Sequence, residues 1–98
     1  MIEFSDAAQA DLEKIFVFNH ERDPDTALDH VDKIRSAIRI LDTHPEIGRR
    51  RYSHSRLREL VISRGQSGYI ALYAYFPATS RIRIAAIRHQ REAGYGSH

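Results

Sequence analysis

Ninety-eight residues, 42% of them hydrophobic, suit one domain near the size at which a single core is adequate. The lack of cysteine excludes disulfides, thiolate metal sites and a cysteine nucleophile, and no apolar run approaches the ~20 residues needed to span a bilayer. The net charge of +2 conceals a division: residues 1–46 hold 11 Asp and Glu against 5 Lys and Arg, residues 47–98 hold 2 against 10, and 13 of the 15 bases are arginine. A guanidinium pairs bidentately with carboxylate or phosphate, so the basic half suits an anionic partner. The opening residues carry no basic segment followed by an apolar one, which predicts a soluble, unexported, cytoplasmic protein with no membrane association. Residues 1–95 are read as the domain, and 96–98 (Gly96-Ser97-His98) as a tag remnant or loose tail.

Met1 to Phe4 predicts a short strand, although the pattern leaves its place in a sheet open. Ser5 is a favourable N-cap with Asp6 in the first turn, and Ala8, Leu12, Ile15 and Phe16 form one apolar stripe of a helix reaching about Glu21. Asp11, Glu13 and Lys14 are expected to face away, and Phe18, off the stripe, to lie under the following loop. Asp23-Pro24-Asp25 breaks that helix, with Pro24 at or next to the start of a second. Ala27, Val31, Ile34, Ile38 and Leu41 recur at spacings of 4, 3, 4 and 3, so two amphipathic helices form an antiparallel hairpin. Thr43-His44-Pro45 ends the second helix.

Residues 46–56 carry four arginines and no acid after Glu46, and read as a mobile loop. Three strands follow, Leu57–Ile62, Tyr69–Phe76 and Arg81–Ile87, separated by Gly65-Gln66-Ser67-Gly68 and Pro77-Ala78-Thr79-Ser80, two clusters that let a chain reverse. The middle run has eight residues without a charge, which predicts a central strand covered on both faces. Arg88 to Tyr95 is expected to be irregular or one helical turn. The fold class is α+β, a helical hairpin on a mainly antiparallel sheet in the order strand, helix, helix, strand, strand, strand.

Taken with Pro45-Glu46-Ile47-Gly48-Arg49, Leu57-Arg58-Glu59-Leu60-Val61, Tyr69-Ile70-Ala71-Leu72-Tyr73 and Ile87-Arg88-His89-Gln90-Arg91-Glu92, that order resembles the RelE/ParE superfamily of type II toxin-antitoxin toxins. The resemblance covers nearly the whole chain. It implies a bacterial toxin, as in plasmid-stabilisation systems, held by a cognate ParD-like or related antitoxin with an acidic C-terminal segment, and touching operator DNA only through that antitoxin. RelE-like members cut mRNA on the ribosome, whereas ParE-like members poison DNA gyrase without being nucleases. RelE-like toxins usually carry arginine after the tyrosine that opens the central strand. Here that position is Ile70, which resembles the ParE branch.

A metal-independent RNase needs a base, an acid and phosphate-holding cations in one cluster, for which Arg58, Arg64, Arg83, His89 and Arg91 are the candidates. Glu59 is another possible base, but on a strand it more commonly pairs with a neighbouring arginine. The branch favoured is the gyrase inhibitor, with no catalytic residues; the RNase is the alternative, and a non-toxic antitoxin-bound co-repressor the third. Arg58, Arg81 and Arg83 are assigned to antitoxin contact, and Arg88, His89, Arg91 and Tyr95 to target contact. The scattered histidines support no metal site, no phosphate-binding glycine loop is present, and no cofactor is expected.

Overall fold

In the computed structural model, which describes residues 1–51, 56–62 and 68–90, the uncharged run Tyr69–Phe76 is the middle strand of a five-stranded sheet. The elements in chain order are β1 (Ile2–Phe4), α1 (Asp6–Arg22), α2 (Ala27–Ile38), a 3-10 turn (Arg39–Asp42), β2 (Arg49–Arg50), β3 (Leu57–Ile62), β4 (Tyr69–Phe76) and β5 (Arg81–His89). The sheet order is β1-β5-β4-β3-β2. The three-stranded antiparallel meander is present as expected, and β1 takes the position that pattern left open, parallel to β5 with Ile2 beside Ile82 and Phe4 beside Ile84. The last strand extends past Ile87 to His89.

Alternation along β4 sends Tyr69, Ala71 and Tyr73 into the core and Ile70, Leu72, Ala74 and Phe76 to the other side. In β5 the pairing shifts between Leu72 and Tyr73, opposite Ala86 and Ile84, which leaves Ala85 as an extra residue. That bulge changes the parity of the strand, so Ile82, Ile84 and Ile87 all reach the same core. Helix α2 supplies Val31, Ile34 and Ile38, followed by Leu41 from the 3-10 turn, every one buried as its spacing predicts. Each large aliphatic side chain removed from water in this way stabilises the fold by about 1.5–3 kcal/mol.

Helix α1 departs from its predicted stripe. Phe16 is exposed and Phe18 is 56% exposed, with the Arg22 guanidinium over its ring instead of a loop above it. Asp11, expected to face water, is buried, and its Oδ2 accepts hydrogen bonds from the Ile87 amide at 2.9 Å and from Arg88 at 2.8 Å. The reason lies in β5, whose outer edge is covered by β1 only as far as Ile84. Beyond it the Ser5 hydroxyl donates to the Ala85 carbonyl at 2.9 Å while accepting the Ala8 amide at 3.0 Å, and Asp11 takes the next free donor. The N-cap and one carboxylate of α1 thus satisfy a strand edge that β1 is too short to pair.

Two expectations for the second half need correction. Arg49 and Arg50 are not loop but strand β2, paired antiparallel with Glu59 and Arg58. The central strand is covered on its second face only in part: on the side opposite α1 and α2, against which no helix or strand lies among the described residues, Ile70 is 1% exposed but Phe76 is 37% exposed. Residues 96–98, with the rest of the expected tail from 91 onward, lie outside the described residues.

Candidate functional site

The helix-free face of the sheet is built from the alternate residues that do not enter the core. Leu57, Glu59 and Val61 of β3 lie in register with Ala74, Leu72 and Ile70 of β4, and Ala74 and Phe76 with Arg83 and Arg81 of β5. An apolar centre therefore runs between two arginine-bearing borders. On the β2 side, Glu59 is 7% exposed and lies 3.8 Å from Arg49 and 3.9 Å from Arg51, the neighbouring-arginine pairing anticipated for it. On the β1 side, Arg81 Nε donates to Glu3 at 2.7 Å. Arg83 is exposed and has no ion-pair partner among the described residues.

Near the β4–β5 turn a hollow of about 430 Å³ opens on this face, lined by Arg56, Phe76, Pro77, Ala78, Arg81 and Arg83. The Arg56 guanidinium stands 5.7 Å from the centre of the Phe76 ring. Arg56 was not singled out from sequence, and Phe76, expected with Tyr69, Tyr73 and Tyr75 to be core, is 37% exposed. The available signal was the parity of β4, which puts Phe76 opposite Tyr73 and Tyr75.

Arg58 belongs to the other side. Its Nη1 donates to the carbonyls of Glu46 at 3.0 Å and Gly48 at 2.8 Å, and its guanidinium lies 3.8 Å from the Glu46 carboxylate. Next to it, the Tyr73 hydroxyl donates to the Pro45 carbonyl at 2.9 Å and accepts the Gly48 amide at 2.8 Å. A Cβ added at Gly48 would stand 2.5 Å from Tyr73 Oη, so the close approach of loop and ring depends on glycine. Burial pushes the Tyr73 phenol up, against the opposing pull of the Gly48 hydrogen bond and the Arg58 charge.

His89 also packs on the helix-bearing side, edge-on to Tyr69 with ring centres 5.5 Å apart. Together with Arg88, Lys14 and Phe18 it lines a broad groove of about 1270 Å³ beside α1. The target-contact candidates Arg88 and His89 are therefore neighbours, with Arg88 tied to Asp11, while Arg64, Arg91 and Tyr95 lie outside the described residues. The antitoxin-contact set is divided, Arg81 and Arg83 on the helix-free face and Arg58 behind it. Among the described residues no three His, Asp or Glu side chains are gathered as metal ligands. What this arrangement offers is recognition of an extended partner with apolar and anionic groups.

The family model for the ParE toxin of type II toxin-antitoxin systems, parDE, matches residues 2–94. The chain belongs to this toxin family. Toxin RelE3 of Caulobacter vibrioides is 34% identical to it over 91 residues, spanning 93% of this chain and 95% of that one. A chain of the chromosomal ParDE TA system from P. aeruginosa matches the fold with a TM-score of 0.74 at 21% identity, covering 90% of this chain and 92% of that one. For a ParE-family toxin a cognate antitoxin is the implied partner. No helix among the described residues is long and apolar enough to cross a membrane.

Proposed function

We propose that this ParE-family toxin acts in the cytoplasm by inhibiting DNA gyrase through protein contact, without catalysing a reaction, and that an acidic antitoxin segment neutralises it. The observation that carries this reading is the separation, among the described residues, of those an RNase would need. Arg58 and His89 project from the helix-bearing side of the sheet, Arg83 from the opposite side. Phosphate-holding cations and a proton carrier must converge within hydrogen-bond reach of one phosphate, and these three do not. The side chains that this face leaves accessible along the central strand are Leu72, Ala74 and Phe76, suited to contact rather than proton transfer, while Ile70 is buried.

The antitoxin segment is placed over the helical hairpin and then along the helix-free face, beside Arg81 and Arg83; Arg58 supports this path from behind. Arg88 and His89 are assigned to the target-facing groove. A second reading, ribosome-dependent mRNA cleavage, draws support from the 34% identity to a chain named RelE3. Purified toxin assayed for gyrase supercoiling and for mRNA cleavage on ribosomes separates the two. Loss of supercoiling with intact mRNA is expected. Cleaved mRNA with unaffected gyrase would replace the first reading by the second, and inactivity in both would favour the co-repressor.

A further inference from the structure

Most guanidiniums of the sheet are engaged within the chain: Arg49 and Arg51 with Glu59, Arg81 with Glu3, Arg88 with Asp11, Arg58 with Glu46. Arg83 has no such carboxylate among the described residues, and Arg56 stands over Phe76, both exposed and both on the wall of the hollow at the β4–β5 turn. The floor they share is apolar, made of Phe76, Pro77 and Ala78. We infer that this hollow anchors the antitoxin: one apolar side chain rests on Phe76 and Pro77, and a carboxylate near it in sequence is held between Arg83 and Arg56. This inference rests on the antitoxin reading of the proposed function.

Charge and shape both favour an acidic, partly apolar peptide. Two guanidiniums with no carboxylate partner among the described residues, beside an apolar floor, match one carboxylate and one hydrophobic group, whereas a nucleic-acid strand needs a row of free cations along its phosphates. Here the neighbouring Arg81 is paired with Glu3, and across the face Arg49 and Arg51 share the single carboxylate of Glu59. The rim is also pre-shaped. Ser80 holds a left-handed φ of 54°, its amide donates to the Pro77 carbonyl at 3.3 Å, and its carbonyl accepts the Met1 ammonium at 3.3 Å. A wall that does not have to be ordered on binding leaves more of the contact energy as affinity.

The test uses the full-length toxin and the antitoxin encoded beside it, with affinity measured by calorimetry after the variants' melting temperatures are confirmed. Phe76→Ala is expected to weaken binding about tenfold and Arg56→Glu with Arg83→Glu about a hundredfold. Arg83→Gln serves as a milder variant should the double charge reversal disturb folding. An antitoxin in which the anchoring acid is replaced by lysine should recover most of the affinity for Arg83→Glu. Unchanged affinity in all these variants would overturn the anchor while leaving the antitoxin reading in place; failure of the wild-type toxin to bind any adjacent antitoxin would overturn both. Retained antitoxin affinity with lost binding of a single-stranded oligonucleotide would instead assign the hollow to nucleic acid and overturn the proposal.

Discussion

Tyr73 shows what a single side chain does in this fold. Fully buried at the middle of the sheet, its hydroxyl serves one donor and one acceptor of the segment that follows the 3-10 turn, and Arg58 takes two more carbonyls of that segment. Tyr73→Phe leaves the Gly48 amide and the Pro45 carbonyl without this partner and is expected to lower stability by about 1–3 kcal/mol, read from urea unfolding. The pH dependence follows from burial, which raises the phenol above its unfolded value. The neutral phenol is the form the fold favours, so its contribution is complete below pH about 10 and is lost as pH rises through the raised folded value. Melting temperatures between neutral and strongly alkaline pH should therefore fall more steeply for the wild type than for Tyr73→Phe.

At the scale of elements, α1 is a cap for a strand edge as much as a core helix. Replacing Asp11 by Ala removes the acceptor of the Ile87 amide and the partner of Arg88, a loss of about 1–3 kcal/mol. Hydrogen exchange should locate it, with protection falling first at Ile87 and little change in β3. This explains why α2 was legible in the sequence and α1 only in part. The apolar positions of α2 all meet the core, so spacing alone identifies them, whereas Asp11 is buried because of an unpaired amide 76 residues away that no local pattern announces. The strands on either side of the turn clusters were readable from alternation and turn chemistry. Strand β2 was not, since two arginines become a strand only when β3 lies beside them. The division of Arg58 from Arg83 was within reach of strict alternation along each strand, using Leu60 and Ile62 for the first and Ile82 and Ile84 for the second. The hollow at Phe76 was not, because it needs the turn and Arg56 brought together in space.

Across the whole molecule, the acidic first half and basic second half become an acidic hairpin on one side and an arginine-bordered, apolar-centred face on the other. An acidic partner approaching such a face is steered over a Debye length, about 8 Å at physiological salt. The association rate of toxin and antitoxin should fall at least about tenfold between low and high salt, as measured by stopped-flow fluorescence, with a smaller change in dissociation. The sheet itself is closed by its two most distant pieces: Ile2 lies beside Ile82, and the Ile82 amide bonds to the Met1 carbonyl at 2.9 Å. During synthesis the first strand has no neighbour until β5 clears the exit tunnel, so a nascent chain stalled before that point lacks the completed sheet. Assembly of the complete sheet is thereby deferred until nearly all of the described residues have been translated.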